Sequence, residues 1–177
     1  MDPDRASPAA ALGWRRDLEG SGVTRDSSDV GSASGRAVRV FSCFDTTHDT
    51  DLHAILVRQA EHSDSPLSIV DWSRESAPLP GWEGELRERL SAVDAVIVIC
   101  GEFTHTACGV SRELGLAQEQ SKPYLLLRGR RTAACTRPAA AREDDNLYTW
   151  IWEIVTSQLS DEILKLSAAG RTAVVPE

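Results

Sequence analysis

Residues 92–128 read AVDAVIVICGEFTHTACGVSRELGLAQEQSKPYLLLR, and this stretch decides the fold. Its apolar run Ala95–Cys100 shows no polar alternation, which predicts a strand covered on both faces, as in a parallel sheet flanked by helices. A glycine-led loop, a helix over 107–120 and a second apolar strand over 123–127 follow this run. Ligands of such sheets bind in the crevice beyond the carboxyl ends of the strands. Glu113, on the helix, is therefore a candidate for chemistry in that crevice.

The rest of the chain continues the alternation of strands and helices. The pattern predicts a strand over 37–44, a helix over 52–62, a strand over 67–72, a loop with two prolines over 73–81, a helix over 82–93 and a final amphipathic helix over 146–165. Two further stretches, 129–135 and 172–175, are open as a fifth short strand. This alternation indicates the α/β class, with a flavodoxin-like, open, doubly wound parallel sheet of four to five strands and helices on both faces.

Composition divides the chain into three parts. Residues 1–36 are rich in Ser, Ala, Gly, Asp and Arg without a sustained apolar period, so we expect a disordered or weakly ordered extension. Residues 37–165 are expected to form one folded domain, and residues 166–177 a C-terminal tail.

Overall composition excludes several classes of function. With 177 residues, 41% of them hydrophobic, the chain is long enough for one domain with a proper core. A formal net charge of −8 argues against a nucleic-acid partner, which requires a dominant basic face. No apolar run approaches the roughly 20 residues of a membrane span. The N-terminus also lacks the apolar segment of a signal peptide, so we expect a cytoplasmic location. The cysteines form no CxxC pair, which favours reduced thiols: Cys43, Cys100, Cys108 and Cys135.

Glu113 has few competitors as a functional group. One loop is crowded with acidic residues and histidines, but their short gaps match no standard metal-ligand pattern and we predict no metal there: Asp45, His48, Asp49, Asp51 and His53. Three arginines after the fourth strand have two interpretations, contact with a pyrophosphate or a solvated basic turn: Arg128, Arg130 and Arg131. Ser42 and Cys43 follow a strand, yet the sequence shows no nucleophile elbow and no evident base for them.

The helix that carries Glu113 presents this residue at the edge of its apolar stripe. On a helical wheel Val110, Leu114 and Ala117 form the stripe, and Glu113 lies beside it, next to Gly109. A boundary position of this kind can face a cleft while packing fixes its backbone. Gly109 removes a side chain one turn before Glu113, which makes room for a ligand. A solvated glutamate on an amphipathic helix is the alternative.

Four segments in order together resemble the TIR-like family, which includes the TIR-type proteins of bacterial Thoeris anti-phage defence. VFSCFD (40–45) resembles the first strand of the family, and IVDWS (69–73) resembles the second. The run that starts at Trp82 and continues through DAVIVICGEFTHTACGVSRELGLA resembles the third strand and the helix bearing the family's carboxylate. NLYTWIWEI (146–154) resembles the start of the terminal helix. The resemblance covers residues 37–165 and implies a TIR-like fold.

The resemblance also implies functional residues. Glu113 matches the catalytic glutamate of the family's W-x-x-x-E pattern, although the tryptophan position is occupied by Gly109. Phe44 and Asp45 match positions that line the nucleotide pocket. The entry to the loop that covers this pocket is matched by Asp71, Trp72 and Ser73.

The implied activity is cleavage of NAD+ as substrate, with no cofactor. Nicotinamide leaves a cationic ring as a neutral molecule, so one anion that opposes the positive charge of the sugar suffices. The resemblance implies self-association and, by preference, a cyclic ADP-ribose-type product that reaches a separate effector protein in antiviral defence. Two alternatives stay open: a non-catalytic TIR-like scaffold that acts through homotypic assembly, and a nucleoside deoxyribosyltransferase-like enzyme whose glutamate attacks the sugar.

Overall fold

The computed structural model describes residues 36–74 and 81–172, with side chains described as far as Leu166. In chain order the elements are β1 (Val38–Cys43), α1 (Thr50–Ala60), β2 (Leu67–Trp72), α2 (Trp82–Ser91), β3 (Ala95–Cys100), a 3-10 turn (Thr104–Thr106), α3 (Cys108–Glu119), β4 (Tyr124–Arg128), β5 (Leu147–Thr149) and α4 (Trp152–Thr172). The predicted extension over 1–36 lies almost entirely outside the described residues, as do most of the loop over 73–81 and the end of the predicted tail.

The five strands form one parallel sheet in the order β2-β1-β3-β4-β5. This confirms the predicted fold class, because it is the strand order of flavodoxin-like doubly wound sheets. The strand order reverses between β1 and β3, so the crevice at the carboxyl ends of these two strands is the place where such folds bind ligands. Every residue of β3 is buried, as its unbroken apolar sequence predicted.

Helices cover both faces of the sheet and divide the core in two. On one face α2 and α3 pack through Leu86, Leu90, Val110, Leu114 and Ala117. On the other face α1 and α4 pack through Leu52, Leu56, Val155 and Leu159. The apolar stripe predicted for α3 is therefore confirmed, and it fixes the rotation of the helix on which Glu113 lies.

The fifth strand lies outside both stretches that the sequence left open for it, and of the second stretch only Thr172, the last residue of α4, is among the described residues. Residues 129–135 form no strand, and residues 147–149, which the sequence places in the final helix, pair with β4. Leu147 packs toward α2 and α3, whereas Tyr148 packs toward α1 and α4. This two-residue alternation is that of a strand with both faces covered. In the sequence this short alternation is hard to distinguish from a helical pattern, because apolar residues continue from it into α4.

The last helix also differs from its prediction. Helix α4 begins at Trp152 and continues to Thr172, so the predicted domain end at residue 165 falls within it. Trp150, which the sequence places on this helix, precedes it and donates its indole N–H to the Gln59 side chain at 2.7 Å. Among the described residues, no helix is long and apolar enough to cross a membrane.

Candidate active site

A pocket of about 240 Å³ opens beside the switch point of the sheet. Its walls come from three parts of the chain: the loop after β1, the residue after β2, and the start of α3. The lining residues are Phe44, Asp45, Thr46, Thr47, His48, Ser73, Thr106, Ala107, Cys108, Gly109, Val110 and Glu113. Parallel strands bring these separate segments together because all their carboxyl ends meet at one edge of the sheet.

Glu113 is the buried acid of this pocket. It lies in the second turn of α3 with 5% of its surface exposed, although a solvated position was the alternative interpretation. The Ser73 hydroxyl donates a hydrogen bond to Glu113 Oε2. Ser73 is itself buried, and its oxygen accepts the Phe44 backbone N–H at 3.0 Å. The carboxylate is thus fixed by α3 and by the ends of two neighbouring strands.

Burial raises the pKa of Glu113 from 4.5 to about 7. Hydrogen bonds from Cys43 and Ser73 and the charge of Arg89 act in the opposite direction and limit the rise. The charge of Asp71 adds to it. As a result the carboxyl changes its charge near neutral pH, which is the range in which a general acid or base works best.

Cys43 lies against Glu113 on the core side of the pocket. The thiol is fully buried and contacts the Val110 carbonyl at 3.7 Å. Burial raises the pKa of Cys43 well above its ordinary value, and the neighbouring Glu113 raises it further. Cys43 is therefore a neutral thiol that packs against the carboxylate and not a thiolate nucleophile.

The loop after β1 forms the polar wall opposite α3. Asp45 accepts the Thr47 backbone N–H at 2.9 Å through one oxygen and lies 2.8 Å from His48 Nδ1 through the other. The His48 ring lies 4.7 Å from the ring of Phe103, which is 44% exposed. These contacts order the loop and leave an exposed aromatic ring near the pocket mouth.

His53 is a partner that the sequence did not reveal for Ser42. Its Nδ1 lies 3.0 Å from Ser42 Oγ, and its ring stacks on Phe44 at 4.3 Å between centroids. Burial lowers the pKa of His53, so the ring is neutral at pH 7. Ser42 is completely buried and does not line the pocket. The pair therefore supports the Phe44 wall and does not reach a ligand there.

Two predicted site residues lie outside the pocket. Asp71 is held by Arg89, which donates two hydrogen bonds to its carboxylate, both at 2.7 Å. Burial alone would raise the pKa of Asp71, but the hydrogen bonds from Arg89 and from the Trp72 backbone N–H, together with the charges of Arg89 and Arg74, outweigh it and lower the pKa. Trp72 is 44% exposed, with its ring 5.6 Å from His53. The carboxylate of Asp71 is thus engaged in an ion pair with Arg89 and does not line the pocket.

Asp49 is a buried carboxylate that lies against Gly101, the residue directly after β3. It is 1% exposed, and its Oδ2 has no hydrogen-bond partner in the described structure. Burial raises the pKa of Asp49, while Arg130, 3.7 Å away, opposes the rise. The carboxylate presses on Gly101, where an added Cβ would lie 2.2 Å from Oδ1. Gly101 is therefore required by close approach, at the point where β3 leaves the sheet.

The structure brings together five of the seven predicted site residues, namely Phe44, Asp45, Ser73, Gly109 and Glu113. The sequence analysis named His48 and His53 only as part of a loop without a metal-ligand pattern, and it did not identify Arg89. The loop position of His48, directly after β1, was a usable signal under the switch-point rule. No sequence signal pointed to Arg89, because its partner Asp71 lies 18 residues earlier on another element. Within the described ranges, no three His, Cys, Asp or Glu side chains converge as metal ligands do.

No family model matches the chain, and no curated protein matches it in sequence.

Proposed function

We propose that this protein is a TIR-like enzyme that cleaves NAD+ and releases nicotinamide. The observation that carries the proposal is a buried glutamate, fixed by Ser73, that lines a pocket at the switch point of a parallel sheet. Burial brings the pKa of Glu113 to about 7, so a large fraction of the carboxyl is anionic at neutral pH. An anion in a site shielded from water stabilises a developing positive charge more strongly than it would in solvent.

In the proposed reaction the bond between ribose C1′ and the nicotinamide nitrogen breaks. Its electron pair goes to the ring nitrogen, which becomes neutral, and positive charge develops on the sugar. The Glu113 carboxylate opposes this charge and accepts the proton of the water that attacks C1′. The products are nicotinamide, ADP-ribose and one proton. Attack by the adenine or by a ribose hydroxyl in place of water would give a cyclic ADP-ribose-type product.

The size of the pocket bears on how NAD+ binds. A volume of about 240 Å³ is below the usual 300–1,000 Å³ of ligand sites, so it suits only the nicotinamide and ribose end of the molecule. The remainder would extend past the mouth, near the exposed ring of Phe103. Completion of the site by a second copy of the chain fits this limit, and self-association is part of the proposal. A diffusible product, read by a separate effector in anti-phage defence, would be the output.

Incubation of the purified protein with NAD+ tests the proposal. We expect nicotinamide release that falls by about 10² or more in the Glu113→Gln variant, with folding retained. Glu119→Gln is the matched control, because Glu119 lies on the same helix with 64% of its side chain exposed. Absence of release at high protein concentration, where copies associate, would leave the non-catalytic scaffold as the better description.

The small pocket favours one second candidate, a nucleoside deoxyribosyltransferase-like enzyme. A nucleoside is closer to the volume of the pocket than NAD+ is. In that reaction Glu113 attacks the sugar carbon, the base departs with the electron pair of the glycosidic bond, and a covalent ester forms. Turnover of deoxynucleosides without turnover of NAD+, together with a glycosylated Glu113 peptide in mass spectra, distinguishes this candidate from the first.

A further inference from the structure

A second concave surface lies at the same edge of the sheet, beside α1 and beyond the ends of β4 and β5. This basic groove has a volume of about 580 Å³ and shares no lining residue with the Glu113 pocket. Its walls are Leu52, Ile55, Gln59, Arg128, Gly129, Arg130, Arg131, Thr149, Trp150 and Ile151. The carboxyl ends of parallel strands are where folds of this class bind ligands, and the volume is within the range of small-molecule sites.

The arginines of the basic groove are not equivalent. Arg130 donates to both oxygens of Asp51 at 3.0 Å and to the His48 carbonyl at 3.3 Å. By contrast, Arg128 and Arg131 make no side-chain hydrogen bond or ion pair with any residue that the structure describes. One arginine is therefore bonded to the first turn of α1 and to the loop before it, and two guanidinium groups are available to a ligand.

Arg128 is the more informative of the two available arginines. It stands at the last position of β4 as a half-buried residue, and no carboxylate among the described residues pairs with it. An arginine without a carboxylate partner at the ligand-binding edge of a parallel sheet is suited to an anionic ligand. The three arginines give the groove a local excess of positive charge, although the whole chain has a net charge of −8. The missing partner is thus an anion.

The opposite wall of the basic groove is apolar. Ile55 and Ile151 are 38% and 41% exposed, which is high for large apolar side chains beside a core. Trp150 stands between the strand end and α4, and its indole N–H is already used by Gln59. Trp150 and the two isoleucines therefore present an apolar surface to a ligand, and such a surface is suited to a flat ring.

We propose that the basic groove binds a nucleotide, with the base against Ile55, Trp150 and Ile151 and the phosphates on Arg128 and Arg131. Planar guanidinium groups bind phosphate through two parallel hydrogen bonds, which suits this part of the ligand. Arg130 keeps its bonds to Asp51 and so links this side of the groove to the first turn of α1. The proposal does not depend on the activity assigned to Glu113.

Isothermal titration of the full chain with ADP tests the assignment, with adenosine and inorganic pyrophosphate as the two partial ligands. We expect ADP to bind more tightly than pyrophosphate, and adenosine to bind least. Replacement of both arginines, Arg128→Gln with Arg131→Gln, is expected to weaken ADP binding by roughly tenfold or more. Arg112→Gln is the matched control, since Arg112 is an exposed arginine on α3, away from the groove. Glu113→Gln is expected to leave ADP binding unchanged.

A second variant keeps the test independent of the arginines. Ile151→Ser removes exposed apolar surface, so it is expected to weaken ADP binding while pyrophosphate binding stays the same. Circular dichroism verifies that each variant is folded. The proposal is overturned if ADP does not bind at millimolar concentration, or if the double arginine variant binds it as well as the original protein. Equal affinity for ADP and pyrophosphate would also overturn it, because the apolar wall would then contribute nothing.

Discussion

The Ser73 hydroxyl donates a hydrogen bond to the Glu113 carboxylate and in turn accepts the backbone N–H of Phe44. This short chain joins the ends of β1 and β2 to helix α3. It stabilises the ionised form of a carboxyl that burial alone would keep protonated to a still higher pH. The charge of Glu113 therefore depends on contacts among three separate elements.

Removal of the Ser73 hydroxyl should make Glu113 harder to ionise. A hydrogen bond to a charged group contributes about 1.5–3 kcal/mol, so Ser73→Ala should raise the pKa of Glu113 by at least about one unit. Nuclear magnetic resonance titration of the Glu113 side-chain carbon measures this directly. If Glu113 catalyses nicotinamide release, the acid limb of the pH–rate profile shifts to higher pH by the same amount. Ser68→Ala on β2 is the control, and no shift is expected from it.

Replacement of Asp71 should shift the pKa of Glu113 in the direction opposite to replacement of Ser73. The negative charge of Asp71 raises the pKa of Glu113, so Asp71→Asn should lower this pKa. Because Asp71 lies outside the pocket, the KM for substrate should change little. A large increase in KM without a shift of the profile would instead support the sequence-based prediction that Asp71 contacts the substrate.

The raised pKa of Glu113 also predicts how stability varies with pH. Between the unfolded pKa near 4.5 and the folded pKa of about 7, the folded protein holds a proton that the unfolded chain has released. The stability from this proton is fully present below the unfolded pKa and is lost as pH rises through the folded one. Denaturant unfolding should show a decline of roughly 2–3 kcal/mol between pH 5 and pH 8 from this group.

Glu113→Gln isolates that contribution, because glutamine resembles the protonated acid and does not titrate. The variant should lose much less stability than the original protein over the same range of pH. The lowered pKa of His53 has the opposite effect on the pH dependence, but it is present in both proteins and cancels in their difference. Parallel curves for the two proteins would show that Glu113 ionises normally.

Two glycines should respond oppositely to alanine. At Gly101 a Cβ would lie 2.2 Å from the Asp49 carboxylate, so Gly101→Ala should destabilise the fold by about 1–3 kcal/mol. At Gly115 in α3 a Cβ would meet nothing within 4 Å, so Gly115→Ala should stabilise it by roughly 0.5–1 kcal/mol. Thermal and denaturant unfolding measure both effects.

A double-mutant cycle assigns the cost at Gly101 to its cause. If the Asp49 carboxylate is the obstacle, Gly101→Ala should cost much less in an Asp49→Ala background. An unchanged cost would instead place the strain in the backbone at the end of β3.

Most of the sheet could be predicted from the sequence because buried parallel strands have unbroken apolar runs. Ala95–Cys100 and Leu67–Trp72 fall at their predicted positions. Leu147–Thr149 could not be predicted, since three residues followed by an apolar helix carry too short a pattern to separate the two periods. These three residues form a strand because they pair with β4, and this pairing exists only in the folded sheet.

The sequence by itself determined the fold class and the position of Glu113 at the edge of an apolar stripe, because both follow from periodicity along the chain. Tertiary structure decided the burial and ionisation of Glu113, since Ser73, Cys43 and Arg89 come from elements far apart in sequence. It also decided that Asp71 pairs with Arg89 and that Asp49 requires Gly101. Periodicity reports which face of an element is covered, whereas the partner of a buried charge is set by distances in space.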